Sequence, residues 1–255
     1  MKEFLTNVSA EKKREGVLVP EIEELREPIK RLFEQIRPRL EGGDYQLLVS
    51  DEASGRVPSL VFLKVINRIY REKGLPKLRF VPIAGRNIKI EDGESRELGD
   101  QKIEHITTEL VENILPTMPQ SESRKALVVT DAINSWASMG TITKALRKAG
   151  VGFEIATIGM TEEALEIKSL WESMGVTIYW DYLTETPKLY KKGRISGVRQ
   201  KKPYYAHVYP EPIGQGLEEN REEYLRRRRE RNDSIEMLSY QLYDWYNKEF
   251  NNPQE

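Results

Sequence analysis

The sequence predicts an α/β fold: a doubly wound, mostly parallel sheet with helices on both faces, extended by helices at the N- and C-terminal ends. Three observations predict it. Short apolar runs of strand length alternate with longer segments whose apolar residues recur at helical spacing. The helical segments close on Gly or Pro before the next apolar run begins. The run from Lys125 to Gly150 reads as a buried strand, an acid at its carboxyl end, a Ser/Asn-rich turn and a helix, which is where ligands sit in parallel α/β sheets.

Taken in order, Ile22, Leu25, Ile29, Leu32, Phe33, Ile36 and Leu40 predict helix from 20 to 40, divided at Pro28 and ended by Gly42 and Gly43. A strand follows at 45–50, then a helix entered near Pro58 that carries Val61, Phe62, Val65, Ile66 and Ile69 and stops at Gly74. The next strand is 78–83. Residues 85–100 read as a polar loop, and 102–115 as a helix with Ile103, Ile106, Leu110 and Ile114 inward. Strand 126–129 leads to a helix capped by Ser138, with Met139, Ile142 and Leu146 on one face and Gly150 as terminator. Strand 153–158 precedes a helix capped by Thr161, with Glu162 and Glu163 favourably placed in its first turn and Ile167, Leu170, Trp171 and Met174 as its buried face. The last strand is 176–180. Residues 184–216 read as irregular. Helix resumes from Leu217, with Asp233 and Glu236 spaced as a capping box and Ile235, Leu238, Leu242 and Trp245 as a stripe. This divides the chain into an N-terminal helical extension (1–44), an α/β core (45–183) and a C-terminal segment (184–255) whose helices pack on the core.

Composition narrows the function. Forty basic and 41 acidic residues give a net charge of −1, so no global field draws the chain to nucleic acid or to an anionic membrane. The absence of cysteine excludes disulfides and thiolate chemistry. The apolar runs fall well short of the roughly 18–20 residues a membrane span needs. Residues 1–17 have basic side chains but no apolar core, so a cytoplasmic location is expected. His105 and His207 lie far apart in sequence, with no metal-ligand spacing.

Two strand-to-helix turns carry the chemistry. In the first, residues 50–58 (SDEASGRVP), a Gly-containing turn exposes amides that cradle an anion, and Arg56 adds a permanent cation. In the second, residues 130–138, Asp131 offers a carboxylate to sugar hydroxyls, while Asn134, Ser135 and Ser138 offer polar groups at a helix start. Each is also what an ordinary capped turn of a sheet protein looks like. Three weaker features remain. They are the polar loop with Arg86 and Lys89, an aromatic and basic stretch at 193–210, and Arg226 to Arg229, whose glutamate neighbours (Glu222–Arg226 and Glu223–Arg227 at i,i+4) make it a solvated helix face.

On these residues the chain resembles the type I phosphoribosyltransferases over roughly positions 45–183. That family follows an apolar strand with two acids, two spacers and a Thr/Ser-Thr-Gly-Gly-Thr turn. Without gaps, Thr130 and Asp131 take the acids' places, Ala132 and Ile133 the spacers, and Asn134, Ser135, Trp136, Ala137 and Ser138 the turn. One acid and both glycines are replaced, so Trp136 must turn its ring away from the turn or over a ligand. The resemblance implies a phosphoribosyl diphosphate or nucleotide ligand and, in an intact member, transfer of the phosphoribosyl group to a base with Mg²⁺ on the leaving pyrophosphate. It assigns the ribose hydroxyls to Asp131 as the catalytic carboxylate. Thr130, at the first acid's place, contributes a neutral hydrogen bond to the ligand; Asn134, Ser135 and Ser138 fall to the ribose phosphate, Ser54, Gly55 and Arg56 to the pyrophosphate, and Asp51 to Mg²⁺. The alternatives are a protein of the same fold that binds a nucleotide and regulates without catalysis, and a protein or RNA interaction module built on the C-terminal helices. No membrane partner is expected, nucleic acid is disfavoured by the charge balance, and self-association through the C-terminal helices is the expected oligomeric route.

Overall fold

The computed structural model describes residues 18–52, 55–85, 95–118, 125–184 and 221–251. Five strands form one all-parallel sheet in the order β2-β1-β3-β4-β5, with β1 Leu47–Asp51, β2 Arg79–Ile83, β3 Lys125–Ile133, β4 Gly152–Met160 and β5 Thr177–Leu183. The helices are α1 Arg26–Gly42, α2 Arg56–Glu72, α3 Ser95–Thr108, α4 Ala137–Lys148, α5 Glu162–Ser173 and α6 Arg221–Tyr246. The predicted α/β class is therefore the observed one, with extra helices at both ends.

Parallel neighbours require crossovers, and the crossovers fix two faces. The chain leaves β1 through α2 to reach β2 on one side, then returns through α3 to β3 on the other side. Alternate strand residues feed two separate cores. Leu48, Leu127, Val129 and Ala156 join Phe33, Phe62, Leu238 and Tyr246 under α1, α2 and α6. Leu47, Val49, Val128 and Ile155 join Ile106, Leu146 and Trp136 under α3, α4 and α5. The terminal helices α1 and α6 thus complete one face of the sheet; Phe33 stacks on Phe62 at 4.7 Å between ring centroids.

Several local expectations are corrected. The break between the turn Pro20–Glu23 and α1 falls at Glu24–Leu25, so Pro28 sits in the first turn of α1, where a missing amide is cheap; Pro38 lies inside the helix instead. Helix α3 begins at Ser95 inside the expected loop, and after Thr108 it widens through a π-type stretch, Glu109–Ile114. On α5, Leu170 (59% exposed) and Met174 (45%) face outward, because the helix turns Ala164 to the sheet and packs Ile167 and Trp171 beside it. Asp233 and Glu236 do not form a capping box, since α6 runs unbroken through them. Glu236 instead receives Lys64 and Arg68 of α2, the latter at 2.6 Å, which fastens α6 to the body. Thr161 caps α5 as expected, accepting from the Ala164 amide at 3.3 Å. Among the described residues no helix is long and apolar enough to cross a membrane.

One glycine is demanded by the packing. A Cβ on Gly55 would lie 2.7 Å from the Asp51 carbonyl oxygen and 2.9 Å from that of Val129, so the turn between β1 and α2 rests directly on the backbone of β3. Gly55→Ala is expected to lower unfolding free energy by about 1–3 kcal/mol, as overpacking against fixed backbone does. Urea titration followed by circular dichroism checks it, and an unchanged midpoint would remove the close approach.

Candidate functional site

The strand order reverses between β1 and β3, and in such sheets the crevice at the carboxyl ends of the two diverging strands is the ligand position. Both candidate turns lie there. Gly85, just beyond β2, adds a third wall: a Cβ on it would lie 2.8 Å from the Ser138 carbonyl oxygen and 2.8 Å from the Ile142 side chain in the first turns of α4.

Acids dominate the crevice. Asp51 (7% exposed), Glu52 (8%) and Asp131 (2%) are all buried. The Thr130 hydroxyl stands 3.5 Å from Asp51 Oδ2 and 3.4 Å from Asp131 Oδ1. Thr130 thus stands between a carboxylate of its own strand and one of the neighbouring strand. A hydroxyl has one proton to donate. With that one proton Thr130 can donate to Asp51 or to Asp131 but not to both at once, so the two carboxylates are not satisfied together. The electrostatics agree: burial, then the charges of Asp131 and Glu52, push the Asp51 carboxyl up from 3.8 to about 8. Its Oδ1 is buried without a hydrogen-bond partner.

Lys102 on α3, only 1% exposed, is a member of this cluster that the sequence reading overlooked. Burial lowers its pKa while the charge of Asp51 works the other way. The signal was available, because Lys102 stands one helical turn before Ile106 on the buried stripe.

The expected phosphate groups are partly diverted. Arg56 opens α2, but its Nε lies 2.8 Å from Glu52 Oε2, and Ser50 also donates to Glu52 at 3.2 Å. The cation assigned to the leaving group is thus neutralised within its own turn. Gly55 is in place as the close-contact residue, whereas Ser54, Arg86, Lys89, His207 and the stretch 193–210 lie outside the described residues. Asn134 is exposed and accepts from the Thr161 hydroxyl, at 3.2 Å on Oδ1, so its side chain ties the ends of β3 and β4 together. Ser135 is exposed and Ser138 half-buried at the start of α4. Asp131 belongs to β3, which runs to Ile133 rather than ending at 129.

The cap of α4 is a correction. Its N-cap is Trp136, not Ser138, with φ 58° and ψ 0° and no capping hydrogen bond. Trp136 is the one non-glycine residue with positive φ among those described. A left-handed conformation in a residue that carries a Cβ costs about 1–2 kcal/mol. What offsets that cost is burial. The ring turns away from the crevice and stacks on Trp171 at 5.0 Å, and its Nε1 donates to the Ala164 carbonyl at 2.8 Å. It is an anchor, not a stacking lid.

No protein-family model matches the chain, and no curated protein does. Similar solved structures include two that share the general arrangement. A purine phosphoribosyltransferase from Pyrococcus horikoshii is 13% identical, with a TM-score of 0.35, covering 64% of this chain and 83% of its own. The Thermus thermophilus protein TT1426 is 13% identical, with a TM-score of 0.34, covering 82% of this chain and 93% of its own. The likeness reaches the level of fold at most, and the fold assignment stands on the strand order and helix placement.

Two expectations follow. Trp136→Gly and Trp136→Ala should each cost about 3–5 kcal/mol from the lost ring. The glycine variant should nonetheless be the more stable of the two by about 1 kcal/mol, since alanine retains the left-handed strain; chemical unfolding of both decides, and the reverse order would contradict the positive φ. For Asp51, a folded-state value above the unfolded 3.8 means that the folded chain holds a proton which the unfolded chain releases. Stability therefore falls as pH rises from about 4 to about 8 and levels off beyond. Asp51→Asn, which mimics the protonated acid, should match wild type near pH 4 and exceed it near pH 8 by up to ~5 kcal/mol. Melting curves across that range test the slope, and parallel curves for the two proteins would refute it.

Proposed function

We propose that this chain binds a ribose-phosphate ligand, a phosphoribosyl diphosphate or a nucleotide, in the crevice between β1 and β3. The observation that carries the reading is Asp131: a buried carboxylate at the carboxyl end of β3, at the reversal of strand order, beside Thr130 and ahead of the exposed first turn of α4. A carboxylate accepts hydrogen bonds from the two hydroxyls of a ribose, and the amides of a helix start donate to the phosphate on the fifth carbon of the same sugar. Ser135 and Ser138 add hydroxyls on the same rim, and Gly55 lets the turn after β1 close the opposite wall.

Mg²⁺ entering with a diphosphate takes only one or two protein carboxylates and fills its shell with phosphate and water. Asp51 is suited to that place because its Oδ1 is buried and lacks a partner. Among the described residues no three acids or histidines are grouped to hold a metal unaided, so the ligand would have to bring its phosphates to complete the shell. When bound, the metal would neutralise phosphate charge in a crevice lined by acids.

A second reading, binding without group transfer, is favoured by Glu52. In this arrangement Glu52 already occupies the Arg56 guanidinium, which would otherwise stabilise a departing pyrophosphate. Titration calorimetry with phosphoribosyl diphosphate and Mg²⁺ should give saturable heat, and Asp131→Ala should weaken binding by about tenfold or more. Absence of heat from wild type, or equal affinity of the variant, would overturn the ribose-phosphate reading. Pyrophosphate release against a panel of nucleobases then separates transfer from binding alone.

A further inference from the structure

Helix α5 is thinly packed on the sheet and apolar beyond it. Ala164 is its one buried residue, and Ile167 and Trp171 are half-buried beside the sheet. Leu170 and Met174 follow Ile167 at spacings of three and four, so the three share one face, and the last two are exposed. The charges along that face are sorted by sign. Glu163 and Glu166 lie four residues before Ile167 and Leu170, in the first half of the helix, with Glu162 beside them. All three are exposed, and among the described residues none has an ion-pair partner. Lys168, in the middle, is taken up by Glu172. At the far end stands Arg147 of α4, which donates to the Met174 carbonyl at 3.1 Å and lies over the Phe153 ring at 5.7 Å. Its guanidinium is thus held at the carboxyl end of the stripe, exposed, and among the described residues neither it nor Lys144 one turn earlier meets a carboxylate.

That order selects a second copy of the chain. A face with acids at one end, a base at the other and apolar side chains between is complementary to itself when turned end over end. Closed two-fold pairs are built from such self-complementary patches. With the axis at Leu170, that side chain meets its own copy. Glu166, four residues or about 6 Å along the helix, then lies across from Met174 and Arg147 of its partner. Antiparallel helices also bring opposite ends of their dipoles together. A partner of uniform charge would suit one end of the stripe and be repelled by the other.

We propose that the outer face of α5, with the adjoining end of α4, is the contact of a two-fold homodimer centred on Leu170. The inference is independent of the β1–β3 crevice, and it puts self-association on the opposite face of the sheet from α6. So small an apolar patch supports a transient pair, as interfaces of small area do. Sedimentation velocity of the full chain at roughly 5–500 μM should show a reversible monomer–dimer equilibrium. Leu170→Asp should weaken it by at least about tenfold. Because the side chain is exposed in the single chain, circular dichroism and the melting temperature of dilute protein should not change. Glu166→Arg and Arg147→Glu should each weaken the dimer about fivefold or more, and the double variant should recover most of that loss, since the signs are then exchanged across the contact. A dimer lost in Leu170→Asp and recovered by the charge exchange supports the proposal. A monomer throughout the range, or a dimer of unchanged affinity in Leu170→Asp, overturns it. A monomer whose melting temperature falls in Leu170→Asp would place another part of the same chain over the face. A charge exchange without recovery would deny the end-over-end arrangement, and either result overturns the proposal as well.

Discussion

The molecule is organised around the contact of Gly55 with the backbone of β3. Two adjacent parallel strands in a sheet diverge at their carboxyl ends, and the turn that leaves β1 would ordinarily stand clear of β3. Here it is laid across Val129 and Thr130 at distances no Cβ would permit. That approach sets the start of α2 and hence the angle at which Val61, Phe62, Val65 and Ile69 enter the core beneath α1 and α6. It also determines which polar groups meet. Asp51 and Glu52 are carried to the end of β1, within reach of Thr130 and Asp131, so fold and crevice share one constraint.

Once the acids are gathered, electrostatics decides what each can do. Four ionisable groups of one chain segment and its neighbour would repel or attract strongly in a low-dielectric crevice. Glu52 is relieved by Arg56, while burial and the charge of Asp131 push the Asp51 carboxyl toward its neutral form. Lys102 brings a compensating charge from α3. At Trp136 the strained backbone is offset by a side chain built into the core under α5.

The strand–helix alternation was legible because burial on two faces leaves continuous apolar runs and helical stripes, which no other constraint disguises. All five strands and the cap of Thr161 were readable in that way, whereas Asp131, expected in a turn, belongs to β3. What escaped depends on neighbours distant in sequence. Leu170 and Met174 continue an apolar stripe that looks buried, yet the edge position of β5 leaves them outside. Glu236 matches a capping spacing, but its partners Lys64 and Arg68 lie about 170 residues away, and helix α6 runs through it. Trp136 violates a local rule, and only the ring of Trp171 makes that violation affordable.

The two ends of the sheet argue for where function resides. At the amino ends of the strands, Glu154 is equally buried, at 2% exposure, and it is fully engaged. Lys125 reaches it at 2.6 Å, Arg39 at 3.2 Å and the Tyr179 hydroxyl at 3.1 Å, with Tyr45 donating as well. Burial alone would raise its pKa, yet these partners bring it below the usual range. A buried acid satisfied in that manner belongs to the structure. At the carboxyl ends, Asp51 has the opposite shift and an oxygen with no partner, next to a second buried acid. Native folds leave few buried polar atoms unpaired, and Arg68 Nη1 and the Tyr246 hydroxyl, away from the crevice, share that condition with Asp51 Oδ1. One sheet thus carries a fully engaged carboxylate at its base and, at its rim, one with an unpaired oxygen where the strand order reverses.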